Sequence, residues 1–188
     1  MRRTDSSSTD YTHRRRFRQA VREQVYAEPG NLIVSPCPTT IGAVVSSTVV
    51  ITLFDRRRSL GGLCHYALPK AAEDVDATPV YGLSGTVALI RAMLSSGSRR
   101  ESMVAGIYGG ACPEAASPDQ RALAQANVKV ATKLMALKEI SVVDEDTGGA
   151  RGRKLWYLTS TNEMAIIKTS SIRRSDWFPY GTEQRGRQ

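Results

Sequence analysis

The stretch SSTVVITLFDRRRSLGGLCH, residues 46–65, decides how this chain is read. Residues 43–54 are apolar and β-branched almost without a break, which predicts a central strand buried on both faces. That run ends at Asp55 and a basic turn, Arg56-Arg57-Arg58. A second strand is expected over Gly62–Leu68, stopped by Pro69, and it carries one of the chain's two histidines, His65. Thr48 and His65 stand 17 residues apart, a spacing that allows neighbouring strands to set them side by side. A hydroxyl beside an imidazole is the layout of a nucleophile-plus-base hydrolase. The unusual point is that the hydroxyl belongs to a threonine.

The flanking sequence adds strands and two helices. Leu32–Val34 reads as a short strand closed by Ser35-Pro36-Cys37-Pro38. Tyr81–Leu94 has Leu83, Val87, Ile90 and Leu94 spaced as the buried stripe of a helix that ends near Gly97. Met103–Tyr108 is a strand running into Gly109-Gly110. Ser117-Pro118 is a helix start, with serine at the cap and proline in the first turn. That helix is expected to reach Leu137, with Leu123, Ala126, Val130, Leu134 and Leu137 inward. Ile140–Val143, Lys154–Leu158 and Met164–Lys168 are three more strands, connected through Gly148-Gly149 with Gly152 and through Thr161-Asn162. Asp144, Glu145 and Asp146 read as a solvated turn. Trp156 and Tyr157 fall on opposite faces of their strand. Strands mixed with two helices indicate a mixed α/β domain. At 188 residues it is one domain, large enough to bury about 70% of its unfolded surface.

Composition excludes several classes. No run approaches the ~18 apolar residues of a membrane span, so no membrane insertion is expected. The N-terminus lacks the apolar segment of a secretory signal, and the expectation is a cytoplasmic protein. Cys37, Cys64 and Cys112 form no C-x-x-C, which argues against a disulfide framework or a zinc site. No cofactor motif is present: neither G-x-G-x-x-G nor G-x-x-x-x-G-K occurs. The net charge of +8 sits mostly in the ends. Residues 1–23 carry seven arginines and a net +4, and residues 173–188 a net +2. Arg14–Tyr26 reads as a short basic helix after a polar, disordered start. The expected organisation is a basic arm over 1–26, the domain over 27–170 and a polar tail over 171–188. Without interleaved stacking aromatics, the arginines argue for solubilising ends rather than nucleic-acid binding. Trp177, Phe178 and Tyr180 are conspicuous in that polar tail, as a surface that docks on the domain or on a partner.

The order of these motifs resembles the CheD family, the chemoreceptor glutamine deamidases of bacterial chemotaxis. Pro29-Gly30 comes first, then Val45-Ser46-Ser47-Thr48-Val49 with Asp55. Gly61-Gly62-Leu63-Cys64-His65-Tyr66-Ala67-Leu68-Pro69 follows, then Tyr108-Gly109-Gly110-Ala111. Gln125-Ala126-Asn127 stands in the family's R-N region, and Asp146-Thr147-Gly148-Gly149 with Gly152-Arg153 closes the set. The resemblance covers residues 29–168. It implies a sandwich of mixed β-sheets flanked by helices, related to cysteine-hydrolase deamidase folds. It also implies hydrolysis of receptor glutamine to glutamate, with receptor cytoplasmic helices and a CheC-type phosphatase as partners.

Carried over residue by residue, the resemblance makes His65 the base and Ser47 the family serine. Thr48 stands where the family has its nucleophilic cysteine. Gly42 and Ala43, where a histidine-orienting threonine falls, have no hydroxyl; Thr39 or Thr40 would serve only after a register shift. Cys64 is adjacent to His65 and therefore on the opposite face of its strand. Cys112, after the Gly-Gly turn, is the alternative thiol. Three functions stay open: an active deamidase, a CheD-like binding module without catalysis, and an anionic-surface binder using the arginine-rich ends.

Overall fold

The computed structural model describes residues 24–73 and 75–172. Residues 43–54 do not form one strand. β3 (Thr40–Val45) and β4 (Val49–Asp55) are separate, and they belong to different sheets. The chain changes sheet at Ser46-Ser47-Thr48, where three hydroxylated residues interrupt the apolar run and leave the ladder. Thr48 is therefore a half-buried crossover residue rather than a strand residue.

The other strands are β1 (Gln24–Tyr26), β2 (Leu32–Ser35), β5 (Leu60–Tyr66), β6 (Met103–Gly109), β7 (Ser141–Thr147), β8 (Gly152–Leu158) and β9 (Glu163–Thr169). One sheet has the order β1-β3-β8-β9 and the other β2-β5-β4-β6-β7. Both are mixed: β1 is parallel to β3 and β6 to β7, and the remaining pairs are antiparallel. Helices α1 (Gly82–Ser95) and α2 (Pro118–Leu137) both pack on the outer face of the five-stranded sheet. The result is a three-layer mixed α/β sandwich, as expected.

Two cores follow from the alternation of side chains along β4, β5 and β6. Val49, Ile51, Cys64, Tyr66 and Ile107 face the helices and meet Leu89, Met93, Leu134 and Met135. Val50, Leu63 and Tyr108 face the other sheet and meet Ile41, Val45, Leu155 and Tyr157. His65 adjoins Cys64 and so points to the inter-sheet side, which is why the Cys64–His65 pair does not form.

The helices sit where the sequence placed them, but rotated. On α1 the buried residues are Gly82, Gly85, Thr86, Leu89, Ile90 and Met93, whereas Leu83 is 47% exposed and Leu94 is 37% exposed. On α2 they are Ala124, Asn127, Ala131, Leu134 and Met135, and Leu137 is 72% exposed. In both cases the real stripe includes small or polar residues that hydrophobicity alone passes over. The Ser117 cap is confirmed with Gln120 as a full capping box. The acidic run Asp144–Asp146 is not a turn but the middle of β7. It stays in the ladder because its carboxylates find partners: Tyr108 Oη donates to Asp144, and Asp146 pairs with Arg153 and Lys168. Among the described residues no cluster of metal-ligating side chains exists. No described helix is long and apolar enough to cross a membrane.

Gln24–Tyr26 is a strand, not the end of a basic helix, and it extends the packed sheet into the stretch assigned to the basic arm. The rest of that expected helix, the polar start and the Trp177–Tyr180 segment lie outside the described residues. Trp156 is half-buried and Tyr157 is buried, as the alternation requires.

Gly61 on β5 packs against the end of β8. A Cβ there would lie 2.5 Å from the Thr159 carbonyl oxygen and 2.6 Å from the Tyr157 hydroxyl. The Thr159 contact is backbone and cannot rotate away. Gly61→Ala is therefore expected to lower stability by about 1–3 kcal/mol, the range for overpacking. Urea unfolding measures this, and an unchanged midpoint would show that the sheets separate freely there.

Candidate active site

The crossover brings the two polar centres together. Thr48 Oγ1 lies 2.9 Å from His65 Nε2. The other ring nitrogen, Nδ1, lies 2.8 Å from the Ala27 carbonyl oxygen. A carbonyl only accepts, so Nδ1 carries the proton and donates to it. Nε2 is then the lone-pair nitrogen, and the Thr48 hydroxyl donates to it. An imidazole in this tautomer can act as a general base toward the hydroxyl it faces.

The backbone around His65 is held on both sides. Its N–H donates to Asn31 O at 3.0 Å, and its carbonyl accepts from Gly30 N–H at 2.7 Å. Gly30 has φ +97°, a conformation that favours glycine. The Pro29-Gly30 turn thus links β1, which ends beside Ala27, to the His65 strand. Ala27 N–H in turn donates to Gly42 O at 2.8 Å.

The Thr48 side is held equally. Gly110 N–H donates to Thr48 O at 2.9 Å, and Ala111 N–H donates to Ser46 O. Gly109 and Gly110 both have positive φ, as do Gly148 and Gly149, so both glycine pairs serve backbone geometry as expected. Asn127 is completely buried on α2. Its Nδ2 donates to Ser47 O at 2.9 Å and to Ala67 O at 2.8 Å. One amide therefore ties the crossover to the end of β5. The Tyr66 hydroxyl donates to the Asn127 carbonyl at 2.7 Å, which fixes the helix register.

The orienting group is the residue that sequence reasoning missed. Thr39 does not supply it: its hydroxyl pairs with Ser35 Oγ at 2.7 Å and Cys37 O. Thr40 begins β3, opposite Gln24 and Leu158. At Gly42, the Tyr26 ring covers the place of a side chain; a Cβ there would be 2.7 Å from it. The Ala27 carbonyl does the work instead, and a backbone atom leaves no mark in sequence. Asn127 was visible within the Gln125-Ala126-Asn127 motif, but its reach to Ser47 was not.

The cysteines are all free. Cys64 is buried beneath α1, and burial pushes its thiol up to about 12, which keeps it protonated and inert. Cys37 is exposed on the Pro-Cys-Pro loop. Cys112 is half-buried, and its N–H donates to Gly149 O at 2.8 Å, which joins it to the neighbouring glycine turn. Ser47 meets Asn127 through its carbonyl. Arg153, 2% exposed, closes the β7–β8 connection with bonds to Asp146 at 2.7 Å and to Gly148 O at 2.9 Å.

The family described as CheD chemotactic sensory transduction matches residues 67–168, more than half of the chain. The chain belongs to the CheD family. Among curated relatives, the probable chemoreceptor glutamine deamidase CheD 1 of Anaeromyxobacter dehalogenans (strain 2CP-C) is 38% identical over 136 residues. That alignment spans 72% of this chain and 79% of the relative. The probable chemoreceptor glutamine deamidase CheD of Sulfurimonas denitrificans (strain ATCC 33889 / DSM 1251) is 34% identical over 147 residues, 78% of this chain and 94% of the relative. A span that long in a 188-residue chain takes in both Thr48 and His65.

Burial lowers the His65 pKa to about 4, partly opposed by the bond to Ala27. The folded protein thus keeps His65 neutral where the unfolded chain, with a pKa near ~6.5, takes up a proton. Stability from this group is complete above about pH 6.5 and is lost as pH falls toward 4, by up to roughly 3 kcal/mol. Urea unfolding across that range is expected to show a steeper acid loss in wild type than in His65→Gln; parallel profiles would show a solvated imidazole. Asn127→Ala removes both donors and leaves two carbonyls unpaired, at an expected cost of about 2–3 kcal/mol. Asn127→Asp, which cannot donate, is expected to lose at least as much in the same measurement.

Proposed function

We propose that this CheD-family chain is a receptor-directed glutamine deamidase that uses the Thr48 hydroxyl as its nucleophile and turns over slowly. The observation that carries the reading is the 2.9 Å Thr48–His65 pair with the imidazole tautomer set by Ala27. Substrate identity comes from the relatives, whose names make them probable chemoreceptor glutamine deamidases. A CheC-type phosphatase is the second partner that CheD resemblance implies.

The chemistry runs as acyl transfer. Thr48 Oγ attacks the side-chain carbonyl carbon of the glutamine while its proton passes to His65 Nε2. Backbone N–H groups near Thr48 are the proposed donors to the oxyanion. His65 then gives its proton to the departing nitrogen, the C–N bond breaks and ammonia leaves. Water, deprotonated by His65, hydrolyses the resulting ester to glutamate and restores Thr48.

Two features make the reaction slow. A threonine hydroxyl ionises far less readily than a thiol. The buried His65 also resists the positive charge it must carry in the transition state, with a carbonyl dipole rather than a carboxylate behind it. These same features favour a second reading, a CheD-type binding module without turnover.

Mass spectrometry of a receptor cytoplasmic fragment separates the two through the shift of about 1 Da from Gln to Glu. The expected result is slow conversion by wild type, none by Thr48→Ala or His65→Ala, and conversion at least ~10-fold faster by Thr48→Cys. No conversion by wild type with conversion by Thr48→Cys supports the binding module. Conversion that survives Thr48→Ala but not Cys112→Ala moves the nucleophile to Cys112. The acid limb of wild-type activity is expected near pH 4, where His65 protonates, rather than near 6.5.

A further inference from the structure

The end of the five-stranded sheet away from the Thr48–His65 pair carries a strongly basic surface. β4 runs from Val49, next to Thr48, to Asp55, which places that end about 23 Å from Thr48. Two turns project there. One joins β4 to β5 and holds Arg56, Arg57 and Arg58; the other leads from α1 into β6 and holds Arg99 and Arg100. All five arginines are exposed.

Backbone bonds join the two turns into one unit. Asp55, 1% exposed, accepts from the Arg57 N–H at 2.9 Å and the Arg58 N–H at 3.3 Å. The Arg56 N–H donates to Ser102 O at 3.1 Å, and the Ser102 hydroxyl donates to Arg99 O at 2.8 Å. The Arg58 guanidinium lies over Gly97, where a Cβ would be 3.4 Å from Arg58 Cζ. Glu101 is the one exposed carboxylate in the two turns. Among the described residues none of the five guanidinium groups is in an ion pair. The fold therefore holds five like charges together, against their mutual repulsion, with little to offset them.

Both helices end on this side of the sheet. α1 leads through the Arg99–Arg100 turn into β6, and α2 leads into β7, which runs parallel to β6. Their last turns expose Leu94 (37%) and Leu137 (72%). Arg91, exposed one turn before Leu94, adds a sixth cation. Basic side chains interspersed with projecting aliphatic ones suit a lipid interface. The turns have no aromatic side chain on which a base could stack. A bilayer also demands no groove, so projecting turns can meet it directly.

We propose that this end of the domain rests on an anionic bilayer surface. The arginine forks bind headgroup phosphates, and Leu94 and Leu137 enter the boundary between headgroups and acyl chains. The attachment is peripheral, needs no membrane-spanning segment and leaves the Thr48–His65 end of the sheet turned away from the lipid. It does not depend on turnover.

Co-sedimentation of the full-length protein with vesicles tests this. Vesicles of phosphatidylcholine alone are compared with vesicles containing about 30% phosphatidylglycerol, at low and high salt. The anionic vesicles are expected to bind at least ~10-fold more tightly at low salt, with the gap closing as salt rises. Arg57→Glu/Arg100→Glu spares Arg58, which packs on Gly97, and is expected to weaken that binding at least ~10-fold with an unchanged circular dichroism melt. Lys70→Glu/Arg151→Glu makes the same charge change on exposed residues at the crossover end, and is expected to stay within ~2-fold of wild type. Leu137→Asn is expected to weaken vesicle binding about 3-fold and to leave any binding to duplex DNA unchanged. Equal binding to both vesicles, an arginine variant that binds like wild type, an equal loss in the crossover-end control, or no effect of Leu137→Asn would overturn the assignment. Tighter binding of duplex DNA than of vesicles through the same arginines would overturn it in favour of a nucleic-acid surface.

Discussion

The crossover at Ser46-Ser47-Thr48 is the constraint on which the rest of the site depends. Its carbonyls leave the ladder of both sheets and need other donors. Ala111 takes Ser46, Asn127 takes Ser47 and Gly110 takes Thr48. Those donors come from the β6–α2 connection and from α2 itself. The layers therefore have to be assembled before the Thr48 hydroxyl has a fixed direction. The dyad is a product of packing, and the Thr48–His65 bond is the last in a chain of bonds that begins in the helix layer.

The same dependence holds on the other side. His65 is oriented by a carbonyl at the end of an edge strand, and that strand is held in place by its parallel pairing to β3. The imidazole thus lies between a group from the four-stranded sheet and a group from the crossover. Its burial keeps it neutral, and the Ala27 carbonyl sets its tautomer. Burial also makes the imidazolium costly, so the feature that organises the base also limits it. A thiol nucleophile tolerates such a base better than a hydroxyl does, because the thiol ionises with less help. In the proposed reaction Thr48 keeps a hydrogen-bonded partner at His65 while lacking much of the driving force a thiol would have.

Much of this was legible in the residues. Strand and helix positions, the Ser117 cap, the positive-φ glycine pairs and the opposite facing of Cys64 and His65 follow from local rules with short reach. The acidic β7 and the break at residues 46–48 did not follow. Asp144 and Asp146 become strand residues because Tyr108, on the neighbouring strand β6, and Arg153, across the β7–β8 turn, supply partners. The apolar run from residue 43 to 54 reads as one strand because periodicity does not reveal a change of sheet. The helix faces were misjudged for a related reason. Asn127 and Thr86 face inward as members of a packed surface, not as hydrophobic residues.

The sequence by itself determined the CheD family and the mixed α/β class, and its 17-residue spacing allowed Thr48 and His65 to meet. These depend on residue identity and order, which survive without coordinates. Only the tertiary structure decided what orients His65 and what holds Thr48. The Ala27 carbonyl is a backbone atom, Asn127 reaches across 80 residues to Ser47, and Gly110 holds the Thr48 carbonyl through its N–H. Each is a hydrogen bond or a contact between segments far apart in the chain, and their geometry exists only once the layers have packed.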